Sequence, residues 1–149
     1  MERILPINEP KTFDCYHDSL THHYAAPVFY DALKREISFA KREGNTVGVV
    51  KFQLFESATE DQLLFFANEL ELAIRQHDLI SRIAAKEFVV LLRFDSDITS
   101  ACEALVARIK NVEKRGFLYA WVISDGSKEV EKVLVELDNP QILKSSKTL

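Results

Sequence analysis

The sequence predicts an α/β fold of the sandwich kind, α+β in detail, with a split-βαβ sheet of about four or five strands and helices packed against it. Three observations carry that reading. Segments with apolar residues at three- and four-residue spacing alternate with short runs rich in β-formers. The segments follow one another in the order α-β-α-β-β-α-β-α. Finally, one adjacent strand pair lies between two crossing helices, as a split βαβ unit requires.

The elements follow in order. Residues 1–17 are irregular, with Pro6 and Pro10 opposing regular structure. From Pro27, which suits a first helical turn, Phe29, Leu33, Ile37 and Ala40 form a helical stripe opposite Lys34, Arg35, Lys41 and Arg42, and Gly44-Asn45 ends it. Val47 to Phe55 reads as a strand. A second helix runs from Thr59, its cap, to Gln76, burying Leu63, Phe66, Leu70 and Ile74. Asp78–Ile83 and Glu87–Phe94 read as a hairpin around Ala84-Ala85-Lys86, a turn without the usual Gly or Asn. A third helix spans Asp97 to Val112 and packs Ala101, Leu105, Ile109 and Val112. Phe117–Ile123 is a further strand, closed by Ser124-Asp125-Gly126. Val130–Leu137 is a last helix, ended by Asn139-Pro140, and the polar tail KSSKTL is expected to fray.

With 149 residues, 47% of them hydrophobic and 28% charged, the chain suits one globular domain, assigned here to 18–138 between the irregular 1–17 and the polar tail 139–149. Cys15 and Cys102 stand far apart and in no metal-ligand spacing, so a reduced, cytoplasmic protein is expected. The longest stretch free of Asp, Glu, Lys and Arg, Ser19–Tyr30, is too short to cross a bilayer, and the N-terminus has no apolar signal region. A net charge of −4 argues against a dedicated nucleic-acid binder.

Two stretches carry a resemblance. Asp18-Ser-Leu-Thr21, ahead of the helix holding Phe29 and Leu33, looks like an opening D-x-L-T-G-L-x-N-R-R signature. Asp78-Leu-Ile-Ser-Arg-Ile-Ala-Ala-Lys-Glu-Phe-Val-Val-Leu-Leu92 is similar to a D-L-v-a-R-x-G-G-[DE]-E-F-x-v-l-L hairpin. In this order and spacing they resemble the GGDEF domain, the diguanylate cyclase fold of bacterial cyclic di-GMP signalling. The resemblance covers residues 17–112 and fades after Gly116.

Set against that pattern, several positions depart. The two glycines that let backbone approach a GTP phosphate are Ala84 and Ala85 here. The acidic third position, a metal ligand in the family, is Lys86, while Glu87 and Phe88 persist. The family's D-x-D on the first strand is matched by Lys51-Phe-Gln53, so two oxygen ligands for Mg²⁺ become two ammonium groups. The guanine-recognising positions match Ala25 and Lys34, and the loop between Phe55 and Glu60 is shortened. The resemblance thus implies a degenerate domain, a pseudoenzyme without cyclase activity, cofactor or metal.

One family element remains. Arg75-Gln-His-Asp78 matches the R-x-x-D of the inhibitory site for cyclic di-GMP, in the family register before Ala84. Arg75 can donate bidentately to a guanine O6/N7 edge, and Asp78 can accept from the guanine N1–H and amino group. A second arginine completes the family site; its aligned position is Val106, with Arg108 nearby.

More ordinary roles stand beside these. Arg75 and Asp78 read equally as an exposed ion pair. Lys51 and Lys86 read as side chains snorkelling from strand ends rather than an anion pocket. His17, His22 and His23 read as a polar loop rather than a metal site. Tyr119 and Trp121 read as sheet packing, and Glu56, Glu60 and Asp61 as acids complementing a helix dipole. The function expected is a non-catalytic GGDEF-like signalling module. As a cyclic di-GMP receptor, it would change homodimerisation or partner affinity through Arg75 and Asp78. The alternative is a ligand-independent protein–protein adaptor, and further off an enzyme using Glu87. A basic cleft beside Arg75 would favour the receptor, and an apolar patch near the hairpin the adaptor.

Overall fold

The seven-residue strand Val47–Gln53 (β2) is buried along all but its last residue, because helices cover both faces of the sheet at its centre. The computed structural model describes residues 6–147. In chain order, these contain β1 (Tyr24–Ala25), α1 (Ala26–Glu43), β2, α2 (Glu60–Ala73), β3 (Leu79–Ala84), β4 (Glu87–Leu92), α3 (Ile98–Val112), β5 (Leu118–Ser124), α4 (Val130–Leu137), a 3₁₀ turn at Pro140–Ile142 and β6 (Lys144–Ser145). The sheet order is β1-β3-β4-β2-β5-β6.

Both crossovers are split. β3 and β2 each run antiparallel to β4, which lies between them, so β2-α2-β3 is a parallel unit opened by one strand. Likewise β4-α3-β5 is opened by β2, antiparallel to both. The sandwich and its split units agree with the sequence reading, and the sheet gains two-residue edge strands, β1 and β6, too short to leave a periodicity.

One face of the sheet packs Phe52, Phe88 and Phe117 against α2 and α3 through Phe66, Leu105 and Ile109. The other packs Val49, Val89, Leu91 and Val122 against α1 and α4 through Phe29, Leu33, Val133 and Leu137. Gly48 lets α3 lie close on β2: a Cβ there would meet Ile98 Cγ2 at 2.6 Å and Cys102 Sγ at 3.0 Å.

Thr59 caps α2 as expected and makes a full capping box with Gln62. The helix ends at Ala73, short of Gln76, because Ile74 is extended. In α3 the buried stripe is Ile98, Cys102, Leu105, Val106 and Ile109, one step round from the expected face, so Val112 is exposed and Ala101 only half-buried. β4 stops at Leu92, two residues before Phe94, whose left-handed φ of 59° ends the strand. The tail does not fray at its start: Lys144–Ser145 pairs with Leu118–Tyr119, and the Ser146 amide donates to the Phe117 carbonyl at 2.8 Å. The first five residues of the irregular segment and the last two of the tail lie outside the described residues.

Candidate functional site

The β3–β4 hairpin turns through Ala85-Lys86, and neither residue has positive φ. Two-residue turns normally rely on such residues to match strand twist. Here the mismatch is taken up one residue back: Ala84 pairs with Glu87 and Arg82 with Phe88, leaving Ile83 as a bulge. Arg82 is only 1% exposed and braces the tip from beneath. Its Nε and one terminal nitrogen donate to the Ala85 carbonyl at 3.3 and 2.9 Å. The guanidinium also reaches Asp18 Oδ1 at 3.0 Å and the Asn8 carbonyl at 2.6 Å. Asp18, 0% exposed, accepts from the Thr21 amide and hydroxyl through Oδ2, both at 2.8 Å. The two stretches that carry the resemblance are therefore joined by one buried ion pair. An arginine inside an apolar strand was the available signal for it.

Lys51 is not at a strand end. It sits in the middle of β2, 6% exposed, with its ammonium 3.6 Å from Glu87 Oε1 and 3.5 Å from Asp138 Oδ1. Strand pleating puts Lys51 and Gln53 on one face, and Gln53 pairs across with Glu87, so the lysine leans along the sheet toward that carboxylate. Lys86 turns back to the loop after β2, where its Nζ donates to the Glu56 carbonyl. Among the described residues, no group of three or more His, Cys, Asp or Glu side chains is placed to hold a metal ion.

Arg75 and Asp78 meet in the connection from α2 to β3. Arg75 Nε and a terminal nitrogen grip Asp78 at 3.1 and 3.0 Å, and the Arg75 amide donates to Asp78 at 3.0 Å. The other terminal nitrogen reaches Asp95 Oδ2 at 2.6 Å. The hydrogen bond to Asp78 raises the Arg75 pKa. Asp95 is held below the ordinary carboxylate range, first by the Asp97 amide and then by Arg75. The Asp78 side chain is 2% exposed and that of Arg75 33%. Both line a cleft of about 230 Å³ that also contains Arg108, whose guanidinium donates to the Ala73 carbonyl at 3.0 Å. Val106, the aligned position for the second arginine, is buried; Arg108 is the one that reaches the cleft. With Asp78 and Asp95 opposite Arg75 and Arg108, the cleft is charge-balanced rather than basic.

The three histidines diverge. His17 Nδ1 bonds Asp14 at 2.7 Å, which holds the Asp14 pKa down to about 2. His22 has a left-handed φ of 64°, and His23 is buried edge-on against Phe88. Tyr119 is buried and stacks on Trp121, as ordinary sheet packing. Glu60 and Asp61 occupy the first turn of α2.

No family model matches the sequence, and neither does any curated protein. Solved structures do. The chain superposes on a form of YfiN (TpbB) from Pseudomonas aeruginosa comprising only the GGDEF domain, with TM-score 0.71, 19% identity and coverage of 83% of this chain and 84% of that one. It superposes equally, at TM-score 0.71 and 16% identity, on the GGDEF domain of DgcB from Caulobacter crescentus in complex with c-di-GMP, covering 86% and 88% of the two chains. The FimX GGDEF domain from Pseudomonas aeruginosa gives TM-score 0.72 at 14% identity, covering 82% and 88%. The chain has the GGDEF-domain fold.

Within that fold, the hairpin positions the resemblance assigns to Gly-Gly-acid hold Ala84, Ala85 and Lys86, with Glu87 and Phe88 following at the start of β4. Glu87 faces an ammonium, not a second carboxylate of the sheet. Sequence reasoning missed Asp95 and Asp138, which reach Arg75 and Lys51 from elsewhere in the chain and belong to no local pattern.

Proposed function

We propose that the protein is a non-catalytic signalling module built on the GGDEF fold. The observation that carries this is Lys51. Its ammonium, buried between Glu87 and Asp138, is a cation tethered where the resemblance sets a metal-binding carboxylate. A divalent ion arriving there would meet a fixed like charge and a Glu87 already paired. Lys86 adds a second ammonium at the turn, and the Cβ atoms of Ala84 and Ala85 stand where glycines would admit a phosphate. Incubation with GTP and Mg²⁺ is expected to give no turnover above background. Cyclic dinucleotide formation by the wild type would overturn the proposal.

The finer reading is a cyclic di-GMP receptor: Arg108 lining one cleft with Arg75 and Asp78 supports it, while the charge balance of that cleft departs from the basic surface expected of a receptor. Asp78 is committed to Arg75, so it orients the guanidinium rather than meeting a guanine itself. The exchangeable contact is Arg75 to Asp95, at the more exposed end of the pair. Binding would swap that carboxylate for a guanine edge or phosphate, with Arg108 stacking or pairing on the other side. Calorimetric titration of cyclic di-GMP should show binding that Arg75→Ala and Arg108→Ala each abolish. No heat with the wild type leaves the ligand-independent adaptor. Other GGDEF-fold structures contain c-di-GMP, DgcB among them, which makes it the ligand to titrate first.

A further inference from the structure

We propose that the protein associates head to tail with further copies of itself, the acidic outer face of α2 on one copy docking into a basic, aromatic groove beside α1 on the next. One end of the groove adjoins the Arg75 site at Asp95, and the rest is a surface the candidate sites do not use. Arg35, Ser38, Phe39 and Arg42 stand at i, i+3, i+4 and i+7, so they form one stripe on α1, with Lys34 alongside. Two adjoining clefts of about 530 and 400 Å³ share Glu36, Phe39 and Phe94. Glu36 is already engaged by Arg93 at 2.7 Å, whereas Lys34, Arg35 and Arg42 make no ion pair among the described residues. Phe94 holds a left-handed φ of 59° and is 62% exposed. A bulky residue in that conformation is strained, and here the strain presents an aromatic ring to solvent instead of the core.

The complementary surface is on the same chain. α2 carries Glu60, Asp61, Glu69 and Glu71 and no lysine or arginine. Asp61, Leu64, Phe65, Asn68 and Leu72 fall at helical spacing on its outer side, and Leu64, Phe65 and Leu72 are exposed. Arg115, the cation over Phe65, has its guanidinium occupied by Glu113. One helix thus presents carboxylates around apolar side chains, and the other presents unpaired cations around aromatic ones. Charge complementarity of this kind sets register and rejects wrong partners, while aromatic and arginine side chains supply the anchors. Because α1 and α2 cover opposite faces of the sheet, the contact uses different surfaces on the two copies and leaves each end free for another.

Sedimentation velocity over micromolar to submillimolar protein tests this. At low salt the weight-average mass of the wild type should climb with concentration, and high salt should return it to the monomer. Arg35→Glu/Arg42→Glu and Glu69→Lys/Glu71→Lys should each stay monomeric. Mixed together, they should associate, because the intact α2 face of the first meets the intact groove of the second and their reversed faces again carry opposite charge. If Glu71→Lys disturbs the neighbouring His23 and unfolds the chain, Glu69→Lys/Leu72→Lys replaces it, since Leu72 is 72% exposed. A wild type that stays monomeric throughout overturns the proposal. So do variants that associate like the wild type, or a mixture that remains monomeric. The assay contains no nucleotide, so its outcome is independent of whether cyclic di-GMP binds.

Discussion

Replacing Arg82 with methionine would keep the aliphatic stem in β3 and remove the guanidinium on which the Asp18 carboxylate and the Asn8 and Ala85 carbonyls converge. Asp18 is wholly inaccessible, so its charge would lose its counterion with no route to water. Its two bonds from Thr21 would remain but cannot offset a charge. Breaking a buried pair from one side costs about 3–5 kcal/mol. A domain of this size has roughly 5–15 kcal/mol in total, so a fifth or more would go. At roughly 2–4 °C per kcal/mol, the melting temperature should fall by about 6–20 °C. Urea unfolding followed by circular dichroism reads the loss, and the Arg82→Met/Asp18→Leu double variant reads the coupling. The double variant should lose less than the two single variants combined, since neither polar partner is then stranded. A loss below about 1 kcal/mol for Arg82→Met, the range of an exposed ion pair, would refute the reasoning.

Three further outcomes are expected. Gly126→Ala should destabilise by about 1–3 kcal/mol, because Gly126 has φ of 101° and a Cβ there would lie 2.5 Å from Lys41 Cα; an unchanged urea midpoint would contradict this. His23 has both ring nitrogens buried without hydrogen-bond partners, and desolvation lowers its pKa against the opposing pull of Glu71 and Asp18. The folded chain therefore binds that proton less readily than the unfolded one, so the stability tied to neutral His23 is intact above about pH 6.5 and drains as pH falls below it. His23→Leu should flatten the fall in urea midpoint below that pH, and equal slopes would count against the assignment. Finally, Asp95→Ala should free Arg75 and tighten cyclic di-GMP binding in a titration, whereas weaker binding would place Asp95 among the ligand's own contacts.

What the sequence disclosed depended on distance along the chain. α1, the Thr59 cap and α4 were legible because their causes are local: a stripe, a cap and a stop within a few residues. The sequence sets the buried face of the third helix one step from its actual place because alanine and cysteine both fit a packed face, and only Gly48 across the interface decides for Cys102. Arg75 and Asp78 stand out as a pair because they match the R-x-x-D of the resemblance, with two residues between them. Their third partner, Asp95, does not, because nothing local links it to Arg75. Lys51 was visible as a charge reversal, but its burial was not: strand position gives a side, and only the fold brings Asp138 there.

The split sheet also bears on how the chain is made. Val50, in the central strand, pairs with Val90 on one side and with Trp121 on the other. A ribosome releasing this protein therefore completes the second edge of its middle strand only after β5 has emerged. Until then an almost wholly apolar strand has one bare flank, the kind of edge that captures other chains. Crowded polysomes would expose many such flanks at once. A stop codon or a protease cut just before Leu118 would make that vulnerable state permanent, so fragments ending there should precipitate while the full chain stays in solution.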